Sequence, residues 1–375
     1  MVQERLFPSF WLAGFECASQ LQRDRRLDLT AELQHDHHAD DDYRMLAPLG
    51  LRTARDGIRW HLVEREPGRF DFGSVEPLRQ AAERHGVQVI WDICHFGWPE
   101  HVDPLAPDFP ARYARLARAF ARYLRECSEA APFLAPINEI SFLALAAGEQ
   151  GFFAPFARGQ GRALQRNLVR AVIAGIDAIW EVSPRARIVH TEPLICRVAP
   201  LDQPALLQAA HEANETQFAS LDMLAGRLEP DLGGGPRYLD ILGFNFYPDN
   251  EQDLRGFTVW RDDPRWVDLS TLLAEAYARY RRPFFISETT DAGPGRAAWL
   301  EYITGEAVRM LERGLPLQGV CVYPITNALD WATGRPEPYG LWDLEPGPGG
   351  VLARRLNEDC AACLQAARER LHPHA

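Results

Sequence analysis

Short, nearly continuous apolar runs alternate along the chain with longer segments in which apolar residues recur every three or four positions. Such runs are typical of parallel strands that are covered on both faces by other parts of the protein. Eight of them can be counted, at residues 10–17, 51–58, 87–94, 133–138, 187–192, 239–246, 283–288 and 319–325. Strands that alternate with helices predict an α/β fold, and eight such units predict a closed (β/α)8 TIM barrel.

The segment between the third and fourth runs shows the helical period clearly. Tyr113, Leu116, Phe120 and Leu124 follow one another at steps of three and four, while arginines occur at other positions. This spacing predicts an amphipathic helix that packs its apolar stripe against the outside of the barrel. Neither an internal repeat nor a long linker interrupts the pattern, so residues 1–375 are predicted to form a single domain.

Composition and charge narrow the classes of function. Apolar residues make up 46% of the chain and charged residues 25%, which is typical of a globular protein. The net charge is -12 and no run rich in Lys or Arg occurs, so nucleic acid is not an expected partner. The N-terminus has no basic segment followed by an apolar run, and no stretch approaches the ~20 apolar residues of a membrane span. We therefore expect a cytoplasmic protein without membrane contact.

Polar side chains follow most of the predicted strands, at the point where each strand ends. In barrels of this type, loops at the C-terminal ends of the strands converge on one pocket, which holds the reactive groups. The candidates read from these ends are Glu16, Gln20, Arg55, His95, Asn138, Glu139, Glu192, Asn245, Tyr247, Glu288 and Tyr323. The sequence thus predicts a pocket rich in carboxyl and amide groups. No metal or other cofactor is implied, and the oligomeric state stays open.

The order of short motifs along the chain resembles that of the clan A glycoside hydrolases. The motifs include Arg55 to Trp60, Asp92-Ile-Cys-His, Ile137-Asn-Glu-Ile, Leu242-Gly-Phe-Asn-Phe-Tyr, Ile286-Ser-Glu-Thr, and Asp330-Trp with the following Tyr339-Gly-Leu-Trp-Asp. The chain looks closest to family 1, the β-glucosidase type, as a short and divergent relative. The resemblance implies a retaining β-glycosidase that acts on a small carbohydrate or glycoside through a covalent glycosyl-enzyme intermediate.

Within this resemblance, Glu288 is the expected nucleophile and Glu139 the expected general acid/base. A retaining mechanism places two such carboxyl groups ~5 to 5.5 Å apart. Arg55 and Tyr247 are expected to stabilise the ionised form of Glu288, and the negative charge of Glu288 is expected to raise the pKa of Glu139.

The remaining positions are expected to bind or support the sugar. Asn138 is suited to the 2-hydroxyl, Trp331 to a sugar ring face, and other positions to the remaining hydroxyls or to support of the site: Gln20, His95, Asn245, Tyr323 and Asp330. Glu16 and Glu192 are possible specificity residues. The sequence departs from the family where Phe96 and Tyr323 replace tryptophans and Asp330 replaces a glutamate, so the sugar itself is not implied.

Three other functions stay open at this point. A transglycosidase would use the same two glutamates and an acceptor hydroxyl in place of water. A metal-dependent barrel hydrolase could use the His- and Asp-rich segment 35–42 together with His95 and His190. A sugar-binding barrel without catalysis is the third.

Overall fold

A closed barrel of eight parallel strands forms the centre of the protein in the computed structural model, which describes residues 5–331 and 333–372. In chain order the barrel strands, here β1 to β8, are Trp11–Gly14, Thr53–Gly57, Gln88–Cys94, Phe133–Ile137, Arg187–Pro193, Ile241–Asn245, Phe284–Thr289 and Leu317–Val322. Each strand pairs with its neighbours in sequence, and β1 pairs with β8 to close the barrel. The predicted (β/α)8 fold is confirmed, and no predicted strand end lies more than three residues from the observed one.

Helices lie between the strands and cover the outside of the barrel. They span Leu29–Glu32, His35–Leu46, Trp60–Val63, Glu76–Arg84, Phe109–Cys127, Ile140–Leu143, Gly161–Val182, Leu207–Thr216, Ala219–Leu224, Leu269–Tyr280, Arg296–Glu312 and Glu358–Leu371, with a π-helical turn at Ala144–Glu149. The apolar stripe predicted in the third connection is buried in helix Phe109–Cys127. Among the described residues, no helix is long and apolar enough to cross a membrane.

Two layers of apolar packing hold this architecture. The larger layer lies between the strands and the outer helices, and it includes the aromatic contact between Trp91 and Phe120. The smaller layer fills the barrel itself with side chains such as Leu12, Ile90 and Phe285. The interior of the barrel is therefore a packed core and not a pore.

A β-bulge interrupts β7 close to its C-terminal end. Relative to β6, Phe244 pairs with Ile286 but Asn245 pairs with Glu288, so β7 contains one extra residue. The pairing with β8 shifts in the same stretch. A bulge changes the direction in which the following side chain points, and here that side chain is Glu288.

Phe120 allows a direct test of the outer packing layer. Its side chain is 0% exposed, so Phe120→Ala should lower the free energy of unfolding by about 3–5 kcal/mol through lost burial and a residual cavity. Urea unfolding followed by tryptophan fluorescence measures the change. Phe257 is 67% exposed, and the same substitution there should change the free energy by less than about 0.5 kcal/mol. Similar losses in the two variants would contradict the assigned packing.

Candidate active site

A cavity of about 720 Å³ opens at the C-terminal end of the barrel. It is lined by residues that follow different strands, as the sequence predicted for this end. The polar lining residues include Glu16, His95, Asn138, Glu139, Tyr247, Asp249 and Glu288, and the apolar ones include Phe96, Phe142, Leu145, Ile195 and Trp331. Several predicted site residues therefore share one enclosed space.

Arg55 of β2 lies beneath the cavity and is fully buried. Its Nε and Nη2 donate to the two carboxylate oxygens of Asp92 at 3.0 and 2.6 Å. Nη1 donates to Oε1 of Glu288 at 2.5 Å, and Nη2 also donates to Oδ1 of Asn138 at 2.7 Å. A guanidinium stays charged in proteins, so the two carboxylates, Asp92 and Glu288, are needed to compensate the buried positive charge. One side chain thus ties together strands β2, β3 and β7.

Glu288 is held at both of its carboxylate oxygens. Arg55 binds Oε1, and the hydroxyl of Tyr247 donates to Oε2 at 2.8 Å. The two donors fix the orientation of the carboxylate and place positive charge and a hydroxyl dipole beside it.

Asn138 and His95 form the next part of the cavity wall. The Asn138 Oδ1 accepts from Arg55 and from the Thr191 hydroxyl, and its Nδ2 donates to Nε2 of His95 at 3.0 Å. On its other side, Nδ1 of His95 donates to Asp92 at 2.8 Å. These contacts set the amide orientation of Asn138 and leave its second N–H free of protein partners in the described chain.

Glu139 follows β4 directly and has the unusual backbone angles φ 47° and ψ 63°. A non-glycine residue in this left-handed region is strained, and such strain is found mainly where the surrounding structure fixes the residue. Here the Glu139 N–H donates to the Thr191 carbonyl at 2.8 Å, and Nδ2 of Asn245 donates to the Glu139 carboxyl at 2.8 Å. The Asn245 amide is itself oriented by Ser287, whose hydroxyl donates to Oδ1.

The surroundings of Glu139 differ from those of Glu288. Enclosure away from water raises the pKa of Glu139 well above its ordinary value, and the negative charges of Glu288 and Glu192 raise it further, against the hydrogen bond from Asn245. Glu192 is buried outside the cavity lining, where burial raises its pKa to about 7 despite hydrogen bonds from Ser141. The cavity therefore combines a carboxyl group whose pKa is raised with a second carboxyl group that is paired with a guanidinium.

Glu16 lies in the cavity wall and is only 8% exposed. Its Oε1 accepts from the Ala18 N–H at 3.0 Å and from the Tyr323 hydroxyl at 3.2 Å. Its other oxygen, Oε2, has no hydrogen-bond partner in the part of the chain that the structure describes. Burial raises the pKa of Glu16, and the hydrogen bonds from Ala18 and Tyr323 oppose this. Tyr323 is buried beneath these residues, with its ring stacked on His95 at 6.0 Å.

Three predicted sugar-binding residues differ in their placement. Trp331 lines the main cavity, with its ring packed edge-on against Phe96. Asp330 lines a neighbouring cavity of about 470 Å³, and its Oδ1 accepts from the Thr333 N–H at 2.6 Å as a turn cap. Gln20 is fully buried, is not part of the cavity lining, and has no partner for its amide among the described residues. The sugar contact expected of Gln20 stays a prediction.

The segment 35–42 does not form a metal site with His95 and His190. His35 lies in helix His35–Leu46, and its ring nitrogens bind Asp42 at 2.8 Å and Asp56 at 3.1 Å. Burial lowers the pKa of His35, but the two aspartates outweigh it and raise that pKa to about 9. His190 donates to the Tyr238 carbonyl instead. The histidines of the metal-dependent alternative thus each bind a different set of protein groups and do not share one site.

One other group in the described ranges has the composition of a metal site, namely Cys17, Asp92 and His95. Asp92 already accepts from Arg55 through both oxygens, and a cation would have to displace that guanidinium. Burial also raises the pKa of the Cys17 thiol well above its ordinary value, which disfavours the thiolate that binds metals. This group is better explained as support for Arg55 and His95.

Asp92 is a site residue whose role sequence reasoning missed. It binds Arg55 and His95 and so connects two predicted residues. The available signal was its position, since it is the one charged residue in the otherwise apolar or uncharged run 87–94. A lone charge inside a buried strand requires a partner of opposite charge.

Comparison of structures shows a close likeness in fold. No sequence model of a protein family and no curated protein sequence matches the chain. The family 1 β-glucosidase from Thermotoga maritima superposes with a TM-score of 0.75 at 14% identity, over 96% of this chain and 97% of that one. The structure of β-glucosidase from the same organism in complex with glucoimidazole gives 0.78 at 14% identity, over 98% and 100%. The complex with deoxynojirimycin gives 0.76 at 15% identity, over 98% and 99%.

The predicted likeness to family 1 is confirmed at the level of the fold. The match extends over nearly the whole of both chains, so it covers the complete barrel and not one shared motif. The roles of individual residues are a separate question, which depends on the cavity described above.

The raised pKa of Glu139 predicts a specific pH dependence of stability. Between the ordinary pKa of a glutamate and the raised folded value, the unfolded chain loses a proton that the folded protein keeps, so stability falls as pH rises. Glu139→Gln removes this loss of stability, because glutamine has no proton to lose in this range. The variant should gain stability relative to wild type by up to about 1.4 kcal/mol per pH unit within that window.

Urea unfolding of both proteins at several pH values measures the difference. It should be constant below the ordinary glutamate pKa and grow above it. Glu301 is exposed, and Glu301→Gln is the matched control that should show no such trend. A difference that does not change with pH would show that Glu139 is not held in its protonated form.

Proposed function

We propose that this protein is a retaining β-glycosidase in which Glu288 is the nucleophile and Glu139 the general acid/base. The observation that carries the proposal is the contrast between two glutamates in one cavity. Arg55 and Tyr247 stabilise the carboxylate of Glu288. Enclosure and the nearby negative charge favour the protonated form of Glu139. This pairing of an ionised and a protonated carboxyl group is what cleavage with retention requires.

In the first step, a carboxylate oxygen of Glu288 forms a bond to the anomeric carbon while the glycosidic bond breaks. Glu139 donates its proton to the departing oxygen, so the leaving group is released as a neutral alcohol. The ester at Glu288 carries no charge, and one cause of the raised pKa of Glu139 is then absent. Glu139 can therefore accept a proton from the water that attacks the anomeric carbon, which releases the sugar and regenerates both groups.

The glycone, the sugar that is transferred to Glu288, is bound by the wall around His95. The free N–H of Asn138 suits the 2-hydroxyl, a contact that strengthens as positive charge develops on the ring. The free Oε2 of Glu16 suits a further hydroxyl. Trp331 supplies an apolar surface for one face of the ring.

A panel of aryl β-glycosides (gluco, galacto, fuco, manno and xylo) tests the activity. Wild type should release the phenol from at least one of them. Glu139→Ala should reduce the rate by about 10² to 10⁴-fold, the usual contribution of a general acid. Glu288→Ala should be at least as damaging, and azide should restore turnover by giving a glycosyl azide of inverted configuration.

Glu301→Ala serves as the control for this panel because Glu301 is exposed on an outer helix. It should retain wild-type rates. Equal rates in wild type, Glu139→Ala and Glu288→Ala would contradict the assignment of both glutamates. Transfer to an added alcohol in preference to water would point to a transglycosidase, and sugar binding without any turnover would point to a non-catalytic barrel.

Glu16 gives a second test, directed at the glycone. Glu16→Gln keeps the size of the side chain but replaces one acceptor oxygen by a donor, so a bound hydroxyl loses its partner. The KM for the preferred glycone should rise about tenfold, with a smaller effect on kcat. Glu149 also lines the cavity but is exposed, and Glu149→Gln should leave the glycone preference unchanged. An unaltered KM in Glu16→Gln would exclude Glu16 from sugar binding.

A further inference from the structure

The half of the cavity beyond Glu139 is built by the loops after β4, β5 and β6. Because an acid contacts the leaving oxygen, the leaving group, or aglycone, must extend into this half. Its apolar surface comes from Phe142, Leu145 and Ile195. Leu145 is 47% exposed, which is unusual for a large apolar side chain beside a cavity. The surface suits an aglycone with an apolar or aromatic body.

The amide side chains in this half are already occupied by contacts within the protein. The Gln217 amide binds the Ile195 N–H and the Asn214 carbonyl. Gln165 binds Ser220 and Arg162. The Asn250 amide likewise forms hydrogen bonds with backbone groups of the loops after β5 and β6. These residues shape the wall but have little hydrogen-bonding capacity left for a ligand.

Arg197 is the exception. It is half-buried in the cavity wall, and its side chain makes one hydrogen bond, from Nη1 to the side-chain Oε1 of Gln252. It forms no salt bridge with any residue in the ranges 5–331 and 333–372. Burial lowers the pKa of its guanidinium, and no carboxylate offsets that effect. Partly buried arginines are ordinarily paired with carboxylates, so this one carries charge and N–H groups without a protein partner.

The backbone around Arg197 is fixed firmly. Cys196–Val198 pairs in parallel with Glu251–Asp253 to form a small sheet outside the barrel, with Arg197 opposite Gln252. The Asn214 side chain accepts from the Arg197 N–H at 2.6 Å and donates to its carbonyl at 2.9 Å. A residue held on both sides in this way presents its side chain from a rigid support, which reduces the entropy lost on binding.

We propose that Arg197 binds a carboxylate on the aglycone, so that the preferred substrates are β-glycosides of acidic compounds with an apolar or aromatic body. A planar guanidinium matches a carboxylate with two parallel hydrogen bonds, and the apolar surface of Phe142 and Ile195 accommodates the ring beside it. This inference rests on the proposed function for the position of the aglycone. It adds the chemical class of the leaving group.

The test compares two charged ligands with their neutral counterparts. The probes are 3-carboxyphenyl and 4-carboxyphenyl β-glycosides and the corresponding carboxamides, made with the glycone that the aryl panel prefers, or with glucose if the panel gives no turnover. Binding is measured by calorimetry with the Glu288→Gln variant, so that no hydrolysis is needed. At least one carboxylate should bind about 10- to 100-fold more tightly than its carboxamide, and added salt should reduce the preference.

Variants at Arg197 identify the source of the preference. Arg197→Gln, made in the same background, should bring the affinities for carboxylate and carboxamide within about twofold of each other. Arg197→Lys should keep part of the preference, because lysine still supplies a positive point charge. Arg158 is exposed and does not line the cavity, and Arg158→Gln should keep the full preference. Thermal unfolding of each variant checks that the fold is intact.

The outcomes separate the two proposals. Equal affinity for carboxylate and carboxamide, no binding of either, or a preference that survives in Arg197→Gln would overturn the role of Arg197. Hydrolysis of neutral aryl glycosides together with equal affinities would leave the β-glycosidase proposal standing alone. A preference that depends on Arg197 in a protein that hydrolyses no glycoside would leave the anion site standing and remove the proposed activity.

Discussion

The buried guanidinium of Arg55 is the constraint around which the open end of the barrel is organised. A charge that cannot be removed by deprotonation has to be matched by carboxylates, and Asp92 and Glu288 supply them. Asp92 in turn fixes His95, and Arg55 itself fixes the amide of Asn138. Apolar side chains fill the barrel below, so this network is the floor of the cavity as well as its electrostatic centre.

The same constraint explains how two glutamates in one cavity acquire different properties. Glu288 binds the guanidinium directly, and the bulge in its strand lies at the residue before Glu288. Glu139 lies on a different strand, held by its strained backbone and by the neutral amide of Asn245. One carboxyl group has a cationic partner and the other has a polar but uncharged one. The different surroundings of the two glutamates are therefore built into the strand positions and do not need a bound ligand.

Sequence patterns predicted the barrel well because its strands are covered on both faces and read as apolar runs with definite ends. They also located the polar residues that follow those runs, since a strand end fixes a position to within a few residues. Residues in the longer loops were less predictable. Asp330 lies several residues beyond a strand, where one shift in the loop path moves a side chain into the neighbouring cavity. Arg197 belongs to a small sheet between loops, which no periodic pattern indicated.

This division between strands and loops has a chemical consequence. The groups proposed to break the bond are attached to the rigid barrel, where a displacement would disturb the buried network of Arg55. The groups proposed to choose the substrate, Glu16 at one side and Arg197 at the other, each retain hydrogen-bonding capacity without a protein partner. They also carry opposite charges. Glu16 and Arg197 would together favour one orientation of a ligand that has hydroxyls at one end and a carboxylate at the other, because the reverse orientation would place that carboxylate beside Glu16.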